Sequence, residues 1–336
     1  MRALRLEEIG RLELVEAAQP THGDDEMLVK TGAALICTSD LNDIRENPFG
    51  IALPTVMGHE GAGVVAEVGS AVTGFSVGDH IATHPVHPCG RCRSCAHGLG
   101  HLCLNMGHFA LDMPGTFAEY YVVRVDRARV VSKQTDLATV ALTEPICVCL
   151  EALARARVSA GDRLLIVGDG PFGVLMARLA GRLRLSRLVI AGHHDFRLGL
   201  AGDATRVNTT GMADPAAALR DAAEDVGYDA VILAVGSKNA VTQGLELLAP
   251  RGRLVVFSAV LGATPIDLFP LHVKELEIVG ACNDLNMLDD AARLLADGSL
   301  RLGELVTHRF PVERYREAFE VAAGRHAAAM KVALTF

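Results

Sequence analysis

Half of the 336 residues are apolar and 33 are glycine, so a sizeable core is within reach, while the length suits two ordinary domains rather than three. The 40 acids exceed the 32 lysines and arginines, giving a net charge of −8; with 4% aromatics and no Trp, this excludes the basic, base-stacking surface of a nucleic-acid binder. No run approaches the roughly 18 consecutive apolar residues of a membrane span, and Met1-Arg2-Ala3-Leu4-Arg5-Leu6-Glu7-Glu8 puts acids where a secretory apolar stretch would sit, so no membrane partner is expected. Four cysteines crowded into fifteen residues suit a metal site in a reducing compartment, which makes the cytoplasm the expected address.

Residues 1–150 are built of short β-like segments. Leu12-Glu13-Leu14-Val15-Glu16, Met27-Leu28-Val29-Lys30-Thr31, Gly61 to Gly69 and Phe117 to Val123 are separated by Gly, Pro and Asp turns, which predicts a mostly antiparallel, barrel-like unit. The texture changes near residue 150. A helical stretch over 151–158 leads to the apolar strand Leu164-Leu165-Ile166-Val167, then to a helix over 174–183 and the strand Leu188-Val189-Ile190-Ala191. Further apolar strands follow at 230–235, 253–257 and 276–280. Such strands alternating with helices predict an α/β domain, a parallel sheet covered on both faces, over 151–281. Residues 282–336 close the chain with helices and Met330-Lys331-Val332-Ala333-Leu334, which is expected to return to the first domain.

Four of the eight cysteines, Cys89, Cys92, Cys95 and Cys103, crowd into fifteen residues. Two-residue gaps let thiolates converge on one ion, and four thiolates without an open position make a structural zinc site. An iron–sulfur cluster, disulfides, or His97 or His101 in place of one thiolate are the alternatives. Arg91 and Arg93 partly offset the cluster's negative charge.

Three further elements carry ligand types in Gly- or Pro-bounded turns: Cys37-Thr38-Ser39-Asp40, Gly58-His59-Glu60-Gly61, and Thr143-Glu144-Pro145. A catalytic zinc takes three protein ligands and leaves a fourth position open, and one Cys, one His and one acid suit it. A fourth motif, Gly168-Asp169-Gly170-Pro171-Phe172-Gly173, follows a strand and opens a helix. In that context the glycines Gly168, Gly170 and Gly173, with Pro171 and Phe172, predict a dinucleotide pyrophosphate site. The next strand ends Gly192-His193-His194-Asp195-Phe196-Arg197 with no acid at 192 or 193. Since NAD enzymes place an acid there, His193 and Arg197 favour the 2′-phosphate of NADP(H) over NAD(H), and Asp195 reads as the N-cap of the following helix.

Taken together, these motifs, Phe117-Ala118-Glu119-Tyr120 and Thr307-His308-Arg309-Phe310-Pro311 make the chain resemble, essentially end to end, the zinc-containing medium-chain dehydrogenase/reductase family, in particular its sorbitol and threonine dehydrogenase branch. The resemblance implies a GroES-like catalytic barrel, 1–150 completed by 282–336, with an inserted Rossmann domain. It implies two zincs per chain, Cys37 and His59 as ligands of the catalytic one, and Glu144 at the place of the third, with Glu60 as an adjacent acid able to bind; Cys147 is a rival. Asp40 would fix the His59 tautomer and Ser39 would carry the substrate proton. Relatives often finish that relay with a His where this chain has Asn42, and often hold His or Asn at the position of Glu151. Phe49, His108, Phe109 and Met113 are expected at the substrate, and His84, His87 and His97 at the surface. The implied activity is interconversion of a secondary alcohol, polyol or amino-polyol with its ketone by a homodimer or homotetramer. The alternatives are a non-catalytic nucleotide-binding or lens-type member of the fold and a zinc-independent quinone or enoyl reductase, both of which would lose the ligands that this chain retains.

Overall fold

Strand Glu26–Ile36, buried along most of its length, organises the first of two units in the computed structural model, which describes residues 1–325 and 328–336. That unit comprises Met1–Cys147 and Leu285–Phe336; the second comprises Val148–Asp284. Glu26–Ile36 pairs antiparallel with Glu60–Val68, with Tyr120–Arg124 and with the closing strand Lys331–Thr335. The seven-stranded sheet continues through His80–Thr83 to Ala128–Val131 on one side and to Val306–Pro311 on the other. Its two apolar faces are filled separately. Leu4, Leu6, Met57, Phe117, Val332 and Leu334 pack in one cluster, and Met27, Val29, Ile81 and Tyr121 in another. Each such side chain, fully buried, contributes roughly 1.5–3 kcal/mol. This is the barrel-like unit that the alternating N-terminal segments predict, and the C-terminal strand completes its sheet.

In the second unit six strands run parallel, in the order Thr205–Asn208, Arg187–Gly192, Arg163–Val167, Tyr228–Leu233, Leu248–Val256, Glu277–Gly280. This is the doubly wound order, whose switch point lies between Arg163–Val167 and Tyr228–Leu233 at their carboxyl ends. Leu165, Val189, Val231 and Leu254 are wholly buried, as strands covered on both faces must be.

Two helix boundaries differ from the sequence reading. The helix placed over 151–158 spans Thr143–Ala156, because Pro145 sits in its first turn, where a missing N–H costs nothing. The helix placed over 174–183 is Pro171–Ala180 and starts on Pro171 for the same reason. The stretch Leu137–Ala156 is long and apolar enough by composition to cross a membrane, but 78% of its apolar window is buried inside the fold.

Candidate active site

Strand register assembles the first constellation. Leu35 faces Glu60 on one neighbouring strand, and Ile36 faces Val332 on the other. Cys37, directly after the strand, caps the helix Thr38–Glu46. Its Sγ, a ring nitrogen of His59 and a carboxylate oxygen of Glu60 lie within 4.8 Å of one another, with Cys37 4% exposed and Glu60 fully buried. Gly58 makes the approach of His59 feasible: its φ is 91°, and a Cβ there would stand 2.4 Å from the Phe117 ring.

Asp40 fastens the two donors. Its Oδ2 accepts the Cys37 backbone N–H at 2.8 Å, and its Oδ1 faces His59 Nδ1 at 3.4 Å. That leaves His59 Nε2 on the side of Ser39, whose Oγ is 3.4 Å away. Burial works against a charge on His59, yet Asp40 and Cys37 outweigh it and hold the imidazole well above its ordinary pKa. The Cys37 thiol is pushed up by burial and by Glu60, against the pull of Lys331 and His59. Thiolate, imidazole and carboxylate gathered in one largely buried pocket are the donor set of a borderline-soft divalent ion such as zinc, and an ion would bind in exchange for their protons.

Lys331 is the residue that sequence reasoning missed. It is 2% exposed, and its Nζ lies 2.5 and 2.6 Å from the two oxygens of Glu60. Burial disfavours its charge, but Glu60, Cys37 and Glu144 together raise its pKa above the ordinary lysine value. The available signal was a lone cation inside the apolar strand Met330-Lys331-Val332-Ala333-Leu334. Glu144 stands buried in the first turn of Thr143–Ala156, close enough for its charge to act on Lys331. Cys147, one turn on, is wholly buried and is not part of the Cys37–His59–Glu60 group. Glu151 is also buried.

The expected substrate residues divide. His108 is half-buried with its ring centroid 5.9 Å from that of His59, and its Nδ1 donates to the Phe109 carbonyl at 2.6 Å. Burial and the nearby His59 push its pKa down to about 3. Met113 is half-buried and Phe49 is 64% exposed. Phe109 instead belongs to the core, packed edge-on against Tyr121, because Ala110 and Met113 turn the chain back over it. His84 and His87, expected at the surface, are buried; His87 packs on Phe109, and burial lowers its pKa to about 4. His97 is exposed, as expected.

In the cysteine lobe the four Sγ atoms of Cys89, Cys92, Cys95 and Cys103 lie within 4.8 Å of one another. Cys92 Sγ is 3.5 Å from Cys95 Sγ and 3.7 Å from Cys103 Sγ. Four sulfurs at about 2.3 Å around one zinc stand about 3.8 Å apart, so the pocket has the right size. Backbone N–H groups of Cys89 and Asn105 point at Cys103 Sγ, and that of Leu104 at Cys92 Sγ, as thiolates require. The backbone of Cys95 and Leu104 lowers the Cys92 thiol to about 6, while burial pushes Cys95 up to about 11. His97 and His101 stand outside this group, and none of the eight cysteines is in a disulfide.

In the second unit, Gly168 ends strand Arg163–Val167 at φ 121°, where a Cβ would come 2.8 Å from the Ala234 carbonyl oxygen; one on Gly173 would come 1.9 Å from that of Gly168. Gly170, the N-cap of Pro171–Ala180, faces open space. This is a cradle in which a pyrophosphate can reach helix N–H groups. Asp169, which the sequence reading left without a role, bends back over the second strand. Its Oδ2 accepts the N–H of His193 at 2.8 Å and of His194 at 2.6 Å and meets His194 Nδ1 at 3.0 Å. Burial opposes its charge, but these donors hold the carboxyl below its ordinary pKa. A Cβ on Gly192 would stand 2.3 Å from the Asp169 Cβ, which explains why no acid occupies position 192. His193 is exposed with Nδ1 3.2 Å from Thr209 Oγ1, and Arg197 is half-buried with an Nε that lacks a hydrogen-bond partner. Asp195 is not an N-cap: His194 holds that position, and Asp195 accepts a hydrogen bond from Asn208.

Comparison with known proteins agrees with both halves of this arrangement. Residues 23–134 match the alcohol dehydrogenase GroES-like domain and residues 170–297 the zinc-binding dehydrogenase domain. The chain is 31% identical over 318 residues to L-threonine 3-dehydrogenase of Pyrococcus abyssi, covering 92% of this chain and 91% of that one. It is 31% identical over 302 residues to 2-dehydro-3-deoxy-L-galactonate 5-dehydrogenase of Pseudoalteromonas atlantica, covering 88% and 87%. Among solved structures, a zinc-binding-dehydrogenase-like protein of Sinorhizobium meliloti 1021, bound to NADP, is 25% identical and superposes with a TM-score of 0.91 over 100% of this chain and 99% of that one. The chain therefore belongs to the zinc-containing medium-chain dehydrogenase/reductase family of the alcohol dehydrogenase superfamily, an oxidoreductase that joins a GroES-like unit to a Rossmann-type sheet.

Proposed function

We propose that the chain interconverts a secondary hydroxyl of a polyol, sugar acid or amino alcohol with its ketone, at a zinc held by Cys37, His59 and a third donor drawn from Glu60 and Glu144. The observation that carries this reading is the Cys37–His59–Glu60 group, donor atoms within 4.8 Å, with the buried Lys331 on Glu60. A bound zinc supplies Lewis acidity, lowering the pKa of the substrate oxygen, and the nicotinamide accepts the hydride. The protein's own part is to position and to move a proton. Asp40 holds His59 with Nε2 turned inward, and Ser39, against that nitrogen, takes the proton of the substrate hydroxyl. Acids rather than a second thiolate make the pocket polar, which favours hydroxyl- or amino-bearing substrates, and the two relatives named above act on such compounds.

A second, structural zinc at Cys89, Cys92, Cys95 and Cys103 is part of the same proposal. Cys95→Ser is expected to weaken zinc retention in the lobe by at least about 100-fold, roughly 3 kcal/mol. Zinc content after dialysis against a chelator checks this; unchanged content speaks against the assignment.

NADP(H) is the preferred cofactor in this reading, held by Gly168, Gly170, Pro171, Phe172 and Gly173 at the pyrophosphate and by His193 and Arg197 at the 2′-phosphate. Arg197→Ala is then expected to raise KM for NADPH about 10–100-fold, the value of one charged hydrogen bond, and to leave NADH unaffected. An enzyme that uses both cofactors as before dismisses the 2′-phosphate contact. We also infer a cytoplasmic homo-oligomer. The free cysteines suit a reducing compartment. The open edge strand Glu277–Gly280, preceded by the exposed Leu268, Phe269 and Val273, offers a self-pairing surface. Zinc analysis with a panel of polyols, amino alcohols and their ketones, run with NADPH and NADH, tests the whole reading. Two zincs and turnover support it; a zinc-free protein, or one that binds nucleotide without turnover, supports the zinc-independent or non-catalytic alternatives.

A further inference from the structure

The relay that begins at Ser39 has no titratable successor at position 42. Asn42 is half-buried on the outer side of helix Thr38–Glu46, its Oδ1 accepting from Arg45. One position on, Asp43 does the opposite. It is 4% exposed, and its Oδ1 is buried without any hydrogen-bond partner. A buried carboxylate oxygen left unmatched destabilises a fold, and native proteins rarely keep one without a use. Helix geometry supplies the use. Ser39 and Asp43 are four residues apart on one α-helix, so their side chains stack on the same face with Cβ atoms about 6 Å apart.

We propose that Asp43 is the next member of the proton path after Ser39, in the role that Asn42 cannot fill. The proposal rests on the dehydrogenase reading above. In the oxidising direction the substrate O–H bond breaks and its proton forms a new O–H bond on Ser39 Oγ. The proton Ser39 already carried passes to Asp43, across one water or on rotation of the Ser39 side chain away from His59 Nε2, which it faces at 3.4 Å, and the Asp43 carboxylate becomes a carboxylic acid. One proton moves and no electrons do; the electron pair leaves separately as hydride to the nicotinamide. In ketone reduction the same path runs backwards. Among the described residues, the charges acting on Asp43 are those of Asp40 on its own helix and of His59. Burial and Asp40 together push the carboxyl up to about 6, against the pull of His59, which suits a group that must accept and return a proton near neutrality. Asp43 touches neither substrate nor cofactor in this scheme; it acts through Ser39.

Asp43→Asn in the zinc-loaded, full-length enzyme tests this. The substitution keeps the shape and removes the proton acceptor. Expected results are a kcat at pH 7 lower by at least about tenfold with KM within about twofold, partial recovery of kcat in imidazole buffer, and a Tm equal to or above that of the parent. A structural carboxylate would behave differently, lowering Tm on removal and gaining nothing from imidazole, and that result would overturn the proposal. So would a kcat within twofold of the parent. A parent enzyme that oxidises no alcohol with either cofactor would remove the dehydrogenase reading itself, and this path with it.

Discussion

Cys37→Ala and His59→Ala proteins are expected to fold, to lose one of two zincs per chain, and to turn over at least about a thousandfold more slowly, on the order of 4 kcal/mol in the barrier. Cys37 and His59 come from turns 22 residues apart, and each is fixed by something other than a metal. The Cys37 backbone is tied to Asp40, His59 faces the same carboxylate, and Gly58 lets the His59 turn slide under Phe117. The pocket is therefore built in advance, and removing one donor deletes the ion without dissolving its surroundings. Metal analysis beside steady-state kinetics reads both consequences. An alanine variant that kept its zinc and its rate would refute the assignment of the ligands.

Lys331→Met is expected to cost about 3–5 kcal/mol of stability, or roughly 10 °C in Tm, because it strands the wholly buried Glu60 carboxylate. Two buried charges at 2.5 Å are strongly coupled, and the larger part of that loss is the missing solvation of the survivor, not the strength of the pair. The double variant Glu60→Gln/Lys331→Met should thus recover most of what the single one loses, and thermal denaturation of the four proteins closes the cycle. The pH dependence follows from the direction of the lysine shift. Its folded pKa stands above the unfolded one, so its contribution is complete below the unfolded pKa near 10.5 and fades only as pH rises through the folded value. The lysine's own contribution to the gap between parent and Lys331→Met should stay constant from about pH 6 to about pH 9, so any change of the gap in that window reports proton uptake by the stranded Glu60. A single variant as stable as the parent would mean that Glu60 finds another partner or takes up a proton at no cost.

How much of this the sequence discloses depends on how local the cause is. The parallel sheet is legible because strands such as Leu164-Leu165-Ile166-Val167 are apolar throughout, and the cysteine lobe because its spacing is itself the geometry. Gly168 and Gly173 announce themselves for the same reason: each is needed within its own turn. Lys331 does not, since its partner is 271 residues away and only the register of three strands brings them together. Asp169 escapes notice because its targets lie on the next strand, and one fact about it, the crowding of Gly192, accounts for a missing acid that reads from sequence merely as a cofactor preference. Histidines mislead in the other direction. His84 and His87 sit beside a polar, cysteine-rich loop and suggest surface, yet both are buried: His84 directly follows strand His80–Thr83 with its N–H on the Arg127 carbonyl, and His87 lies in Val86–His87, which pairs with Gly107–His108. Asp43 is similar: one residue from the expected relay position, but on the helix face that turns toward Ser39 rather than toward solvent.

Anomalous diffraction at the zinc edge from crystals of the zinc-loaded protein examines the Cys37–His59 pocket directly. The expected map has one peak about 2.3 Å from Cys37 Sγ and about 2.1 Å from His59 Nε2, and a second among Cys89, Cys92, Cys95 and Cys103. A map with the second peak alone, in crystals that hold excess zinc, would contradict the account.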